Sequence, residues 1–284
     1  MLTISCRLTG AGPSVSHALV KREKPSTQVW QALKEVCDQA KAQKKRVWID
    51  AEQQIYHPAI DSWTIDLMRE YNRDGQVLVM TTIQSYLKSS RQNVERYMRL
   101  AQNEGWSLGI KLVRGAYIGS DTRSRIHDTK AETDASYNSI AHEIITKSWP
   151  GFDKTSFPHV RIFLAGHNAE SIREVSSLVH RLAQAGELSE EVHYGQLQGM
   201  AEDVGCELLA LGDKCKPRDG ATEDQCRRDI LGTPYAYKCL TWGSIKDCLH
   251  YLVRRAIENQ GAAERMNANL GEMRKELRRR LLRF

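Results

Sequence analysis

The feature that most constrains the fold of this sequence is an alternation of short apolar runs with longer stretches of helical periodicity. Between the runs, apolar residues recur three and four positions apart, which gives each intervening helix one apolar face. This alternation is typical of a parallel sheet whose strands are joined by crossover helices. The candidate strands are Leu2–Leu8, Val47–Ala51, Val77–Thr81, Leu108–Val113, Val160–Ala165, Val192–Leu197 and Tyr235–Leu240.

The length of the chain, 284 residues, suits a single α/β barrel, since such barrels run to roughly 250 residues as one unit. We therefore predict one domain over residues 1–284 with the (β/α)8 TIM-like fold. A closed parallel barrel has eight strands. With seven candidates, one strand is either hidden in the sequence or missing from it.

Two segments depart from this pattern. Residues 213–233 are polar and lie where a compact barrel needs only a short loop, so we interpret them as a surface insertion. Residues 262–284 are rich in Arg and predict a basic amphipathic helix. We expect this helix to dock on the body of the protein, and binding to a phospholipid surface is the alternative. Its apolar stripe consists of Leu270, Met273, Leu277 and Leu281.

The composition argues against several classes of protein and site. No apolar run approaches the ~18 residues that cross a bilayer, and the first residues lack the pattern of an organelle transit peptide. The 7 cysteines form no Cys-x-x-Cys pair, so we expect reduced thiols and no metal site. Phosphate-loop and serine-hydrolase motifs are absent from the sequence, and we expect no nucleic-acid partner.

Polar residues follow several candidate strands, at the edge where barrel enzymes build their sites. Asp50 lies near the end of the second candidate, Gln84 follows the third, Lys111 lies within the fourth, and His167 and Asn168 follow the fifth. Each alone has a structural explanation, such as a helix cap or a satisfied histidine. Together they predict a functional site at this edge of the sheet.

Two cationic elements indicate what this site binds. Strand alternation puts Lys111 and Arg114 on opposite faces, before Gly115, where the backbone can approach a ligand closely. These cations suit an anionic cofactor, although solvation of a strand end is the simpler reading. The second element is the pair Arg254 and Arg255.

Arg254 and Arg255 belong to a predicted helix whose apolar stripe we expect to pack against the sheet. Two neighbouring guanidiniums near strand ends suit a carboxylate, and a surface ion pair between Arg254 and Glu258 is the alternative. The residues alone thus predict a barrel that binds an anionic cofactor and a carboxylate, and they do not specify the reaction. The stripe consists of Ile245, Cys248, Leu249 and Leu252.

Five motifs, taken together in their order and spacing, resemble the proline dehydrogenase family from Leu2 to about Asn267. The resemblance implies a distorted (β/α)8 barrel, here without the first β/α unit, that holds FAD noncovalently. The motifs are Asp50-Ala51-Glu52, Lys111-Leu112-Val113-Arg114-Gly115-Ala116-Tyr117, His167-Asn168, Gly195-Gln196-Leu197-Gln198-Gly199-Met200 and Tyr251-Leu252-Val253-Arg254-Arg255-Ala256-Ile257-Glu258-Asn259.

The resemblance also implies roles for single residues. Arg254 and Arg255 clamp the substrate carboxylate, Tyr117 and Leu197 shape the pocket, and Asp50 supports it through hydrogen bonds. Lys111 falls where a cation meets flavin N5. The remaining FAD contacts fall on or near Gln84, Arg114, Gly115, Ala116, His167, Asn168, Gln196 and Glu258.

The implied activity is oxidation of L-proline to 1-pyrroline-5-carboxylate by hydride transfer to flavin N5, as the first step of proline catabolism to glutamate. No metal is required. The implied electron acceptor is a membrane quinone, reached by peripheral contact at the matrix side of the mitochondrial inner membrane.

Three positions depart from the family pattern. Arg7 stands where the family has a substrate-binding lysine, Cys239 where it has a tyrosine that contacts substrate, and Gly166 where Ser or Thr precedes the His-Asn pair. Loss of the tyrosine would enlarge the pocket and could shift specificity toward hydroxyproline or a substituted proline. A non-catalytic remnant that acts as a binding protein is the alternative from another class.

Overall fold

The computed structural model describes residues 3–215, 222–241 and 243–258, together with residues 274, 277, 278 and 281. Within helical segments, the side chains of residues 214, 247, 250, 254, 255, 257 and 258 are not described.

The described residues contain one parallel sheet of seven strands, which are neighbours in the order in which they occur along the chain. The sheet curls into a half-barrel covered by helices, one strand fewer than a closed (β/α)8 barrel. The predicted α/β barrel class and all seven predicted strands are confirmed. The strands are β1 (Thr3–Cys6), β2 (Arg46–Ile49), β3 (Val79–Gln84), β4 (Leu108–Val113), β5 (Val160–Ala165), β6 (His193–Leu197) and β7 (Tyr235–Cys239).

Nine α-helices connect and follow these strands in the described part of the chain. Two helices lie between β1 and β2 and two between β6 and β7, whereas the other crossovers have one each. The helices are α1 (Pro13–Lys21), α2 (Thr27–Ala42), α3 (His57–Tyr71), α4 (Ser90–Glu104), α5 (Lys130–Ile145), α6 (Ala169–Gln184), α7 (Glu202–Lys214), α8 (Glu223–Gly232) and α9 (Ile245–Glu258).

Local sequence signals fix several helix ends. The Thr129 side chain accepts a hydrogen bond from the Glu132 backbone and the Glu132 side chain accepts one from the Thr129 backbone, which is the capping box that starts α5. Helix α4 ends at Gly105, whose left-handed conformation (φ 68°) suits a residue without a Cβ.

Side chains alternate between the two faces of the curled sheet. Outward residues such as Val79, Ile110 and Leu164 pack with the helices into one continuous core. Inward residues form an aromatic layer. The ring centres of Trp48 and Phe163 lie 4.3 Å apart, and those of Phe163 and Tyr237 lie 5.7 Å apart. This layer fills the barrel below the carboxyl ends of the strands and so forms a floor for the site above it.

The start of β3 differs from the prediction because of one buried side chain. The Oδ1 atom of Asn72 accepts hydrogen bonds from the backbone N–H groups of Leu78 and Val79, at 2.9 and 2.8 Å. These bonds anchor the chain where the strand begins at Val79, two residues later than predicted. The strand then continues through polar residues to Gln84, so Gln84 ends a strand instead of following it.

Part of the segment interpreted as a surface insertion is helical. Residues 216–221 lie outside the described residues, and Glu223–Gly232 form α8. This helix approaches α6 closely, since a Cβ added to Gly232 would lie 3.1 Å from Cβ of Ala183.

The expectation that the stripe of α9 packs against the sheet is wrong. Ile245, Leu249 and Leu252 are 81%, 55% and 52% exposed. Helix α9 follows the edge strand β7, and in the described residues no further β/α unit lies beside it to cover this face. Cys248 is only partly exposed.

The basic tail is described at four positions only. Arg274, Leu277, Arg278 and Leu281 are helical, and Leu277 and Leu281 are exposed, so the expected docking of these two on the body is also wrong. Leu270, Met273 and the rest of residues 259–284 lie outside the described residues. None of the described helices is long and apolar enough to cross a membrane.

Candidate active site

An ion pair joins two strands at the carboxyl end of the half-barrel. Lys111 on β4 donates to Asp50, which directly follows β2, with 2.8 Å between Nζ and Oδ1. The Ser5 hydroxyl on β1 donates to Oδ2 of the same carboxylate at 2.8 Å, and Lys111 Nζ lies 5.0 Å from the centre of the Trp48 ring. The site therefore contains a fixed pair of opposite charges above the aromatic floor, and Asp50 is not a helix cap.

Cys6 lies beside this pair on β1. Burial, with a smaller contribution from the Asp50 charge, raises the pKa of its thiol to about 11. The thiol therefore stays protonated near neutral pH, which disfavours a nucleophilic role.

A second ion pair lies next to the first and involves Arg7, which follows β1. Its Nε atom donates to Oε2 of Glu52 at 3.0 Å, and Glu52 is completely buried. The guanidinium also lies over the Tyr117 ring, 6.0 Å from the ring centre. Arg7 and Tyr117, both predicted to contact substrate, thus meet at one side of the site.

Arg114 faces away from the barrel interior, as strand alternation predicts. Its Nε donates to Asp134 at 2.6 Å and its Nη2 to Ser171 at 2.8 Å, while the guanidinium stacks over Tyr137 at 4.3 Å. Burial alone would raise the pKa of Asp134, but hydrogen bonds from Lys130 and Arg114 lower it overall. The charge of Arg114 is therefore matched by protein groups.

Gly115 follows Arg114 with a φ of 137°, a conformation that side-chain-bearing residues rarely adopt. A Cβ at this position would lie 2.5 Å from atoms of the Tyr86 ring. Glycine is thus required both by the backbone and by the close approach of Tyr86. The exposed Ala116 comes next and leads into Tyr117.

One carboxylate ties together the loops that follow β2, β3 and β4. Asp121 accepts a hydrogen bond from the Gln54 backbone at 2.8 Å and another from the Tyr86 hydroxyl at 2.5 Å. Burial and the neighbouring Asp121 raise the pKa of Tyr86. The phenol therefore remains a donor, and these three loops form a continuous rim, named here the Asp121 rim.

His167 holds the ends of β5 and β6 together, and Asn168 starts the helix that follows β5. His167 Nε2 accepts a hydrogen bond from the Leu197 backbone at 3.0 Å. Asn168 caps α6 by accepting from the Ser171 backbone at 3.1 Å. The cap explains why an amide stands at this position without reference to a ligand.

Two buried glutamines have unpartnered amide atoms in the described structure: Oε1 of Gln84, and both Oε1 and Nε2 of Gln196. The alternation of β3 turns Gln84 inward with Met80. Gln196 instead faces α7, since its Oε1 lies 3.4 Å from the position of a Cβ on Gly205. The two amides therefore lie on different faces of the sheet.

The remaining predicted residues lie at the open side of the half-barrel. Leu197 ends β6, pairs in register with Cys239 at the end of β7, and Cys239 is exposed. Arg254, Arg255 and Glu258 belong to α9, and their side chains lie outside the described residues.

Comparison with known proteins places this arrangement in a family. The proline dehydrogenase family matches residues 4–268. The chain belongs to the proline dehydrogenase family. A probable mitochondrial proline dehydrogenase of Schizosaccharomyces pombe is 33% identical over 262 residues, which are 89% of this chain and 50% of that protein.

Two further relatives extend the comparison. Mitochondrial proline dehydrogenase 1 of Caenorhabditis elegans is 31% identical over 246 residues, which are 83% of this chain and 35% of that protein. A crystal structure of proline utilization A from Bdellovibrio bacteriovorus, inactivated by N-propargylglycine, matches with a TM-score of 0.63. The match is 20% identical and covers 90% of this chain and 24% of the chain in that structure. At this identity it supports the fold alone. The chain spans about half the length, or less, of the S. pombe and C. elegans proteins.

Membership of the proline dehydrogenase family confirms the resemblance inferred from the motifs. One departure from the family pattern now has a structural explanation. A Cβ at Gly166 would lie 3.2 Å from Nη1 of Arg114, so glycine leaves room for the guanidinium that stacks on Tyr137. Glycine at position 166 thus has a packing explanation and is not evidence that the site has lost its function.

The sequence does not reveal the partners of the predicted residues. Glu52 follows Asp50 by two residues, and strand alternation, which turns both to the same face, is the one signal that could have found it. Alternation likewise places Ser5 of β1 on the same face as Arg7, two residues later. No sequence signal pointed to Asp121 or Asp134, because both act across loops that are distant in sequence.

Proposed function

We propose that this chain binds FAD and oxidises L-proline to 1-pyrroline-5-carboxylate, the first step of proline catabolism to glutamate. The proposal rests on the Asp50–Lys111 pair at the strand ends of a chain that belongs to the proline dehydrogenase family. Members of that family are flavoenzymes. The altered-specificity and non-catalytic alternatives are not favoured.

The residues at the strand ends fit a flavin. The inward Gln84 Oε1 is a buried acceptor without a partner in the described residues, and it suits a ligand with N–H donors. A backbone contact to the cofactor is proposed for Gly115, and the Lys111 cation favours an electron-rich ring system. When bound, FAD supplies the two-electron acceptor for the hydride that leaves the substrate. Further contacts are proposed for Arg114, Ala116, His167, Asn168, Gln196 and Glu258.

The substrate is bound through its carboxylate. Arg254 and Arg255 would clamp it by bidentate hydrogen bonds, and a carboxylate held at two points fixes the ring orientation that hydride transfer needs. Tyr117 and Leu197 would line the pocket, with Cys239 at its open side. The ring carbon beside nitrogen loses a hydride and the nitrogen loses a proton, which leaves the C=N bond of the cyclic imine.

Relatives whose names assign them to mitochondria support a mitochondrial setting for this protein. We place the protein at the matrix side of the inner membrane, with a membrane quinone as its electron acceptor. The basic residues 262–284 would then make peripheral contact with anionic lipid.

A spectrum tests the proposal. The purified chain, reconstituted with FAD, should show flavin absorption that bleaches anaerobically when L-proline is added. In the Asp50→Asn variant Lys111 loses its charged partner, and bleaching should slow by roughly tenfold or more. Failure of the wild-type chain to bind FAD, or bleaching by 4-hydroxyproline but not by L-proline, would contradict the proposal.

A further inference from the structure

In the described residues, the side-chain hydrogen bonds of Arg7 all involve one nitrogen, Nε. Glu52 binds Nε at 3.0 Å, and Thr9 Oγ1 lies 3.3 Å from the same nitrogen. Neither Nη1 nor Nη2 of Arg7 has a hydrogen-bond partner among the described residues. Because the side chain is 37% exposed, these terminal N–H groups are open to a ligand.

Glu52 is fixed at both of its ends. Its carboxylate accepts from the Thr9 backbone at 2.9 Å and from the Thr9 hydroxyl, in addition to Arg7. Its backbone carbonyl accepts from Gln84 Nε2 at 2.9 Å and from His57 Nε2 at 2.7 Å. The buried Glu52 carboxylate has this many partners and therefore a defined position. Its bond to Nε in turn fixes the position of the Arg7 side chain.

The geometry points to Glu52 as a positioning residue, which holds Arg7 by Nε so that its two terminal nitrogens face the carboxylate of the substrate. This inference rests on the proposed function, because it names a third guanidinium for the same carboxylate. Arg7 would bind the carboxylate, whereas Glu52 would act only through Arg7.

An arginine can do both tasks with separate nitrogens, whereas a lysine would have to do both with one. The guanidinium offers five N–H donors in a rigid fork, so one edge can bind Glu52 while the other binds a carboxylate in bidentate fashion. A lysine has one ammonium group, which Glu52 and the substrate would have to share. With arginine at position 7, Glu52 can bind one nitrogen and leave the other two for the substrate, whereas the family's lysine has a single nitrogen.

The test uses the FAD-reconstituted full chain and three variants. In Glu52→Gln, KM for L-proline should rise roughly tenfold while kcat changes by less than about twofold, because ground-state binding is lost. The Kd of cyclopentanecarboxylate, which lacks the ring nitrogen and cannot form the imine, should rise by the same factor in calorimetry. Arg7→Lys keeps a cation beside Glu52, so it should fold and should also raise KM. In Arg7→Lys/Glu52→Gln, KM should be no higher than in Arg7→Lys.

A matched control is Glu104→Gln, which breaks an arginine–carboxylate pair with Arg69 on the outer helices. It should leave KM unchanged. An unchanged KM and Kd in Glu52→Gln, or multiplying effects in the double variant, would overturn the positioning role while proline oxidation stands. A wild-type chain that neither oxidises proline nor binds cyclopentanecarboxylate would instead overturn the proposed function itself.

Discussion

Gly115 is the residue at which backbone and packing restrict the site most strongly. Substitution by alanine forces a Cβ into a strained φ of 137° and into the Tyr86 ring at 2.5 Å. We expect Gly115→Ala to lower the free energy of unfolding by about 2 to 4 kcal/mol. Urea denaturation followed by circular dichroism measures this change.

Gly119 provides the control for this prediction. It lies in the same loop, but a Cβ there would meet nothing within 4 Å, and its φ is not positive. Gly119→Ala should change the free energy of unfolding by less than about 1 kcal/mol. Equal losses in the two variants would show that the close approach of Tyr86 is not what requires glycine at 115.

At the scale of single residues, strand alternation predicted which side chains share a face but not which partners they meet. It correctly separated Lys111 from Arg114. It did not reveal that Arg114 is matched by Asp134, or that Asn168 serves as a cap, because both facts depend on where α5 and α6 begin. Residue pairs formed across loops leave no periodic signal.

Between elements, helices α3 and α4 are joined by a bidentate ion pair. Arg69 donates to both carboxylate oxygens of Glu104 at 2.7 Å, and Trp106 Nε1 donates to Oε2 at 2.7 Å. Hydrogen bonds from Arg69, opposed by partial burial, lower the pKa of Glu104 from 4.5 to about 2. Because the folded-state pKa is depressed, this stabilisation is present above pH 4.5 and is lost as the pH falls toward about 2.

We therefore expect Glu104→Gln to reduce the dependence of stability on acid pH. From pH 5 to pH 3 the wild-type urea midpoint should fall by more than that of the variant, because the variant has no carboxylate to protonate there. Glu95→Gln, which removes an exposed pair with Arg99 on α4, should cost only about 0.3 to 0.5 kcal/mol. An equal fall in the wild type and in Glu104→Gln would contradict the assignment.

At the same scale, helical periodicity predicted that α9 exists and which of its residues share a face. It could not predict that this face is exposed, because periodicity does not report what lies opposite a helix. The start of β3 was misplaced for a related reason, since a single amide, that of Asn72, decides it.

For the whole molecule, the described sheet has two edge strands, β1 and β7. Both edges present backbone groups that no strand pairs in the described residues, which is a route to association. Ile4 on β1 is 39% exposed. The 284-residue chain should self-associate as its concentration rises, and Ile4→Lys should reduce this, because a charge on an edge strand opposes pairing.

Sedimentation velocity over a range of concentrations measures this association. Ile118→Lys is the matched control, since Ile118 is 63% exposed but lies in the loop that follows β4 and not on an edge strand. A wild-type chain that stays monomeric throughout, or an equal effect of the two lysines, would show that the edges are not responsible. The number of strands was predictable from the sequence, whereas their failure to close was visible only in the pairing.

The Asp121 rim has a consequence for how molecules reach the strand ends. None of the three loops can move outward on its own without breaking a hydrogen bond to Asp121. The loops that follow β2, β3 and β4 are therefore held rigidly together at the strand ends. A rearrangement at the strand ends that kept these bonds intact would have to move all three loops together.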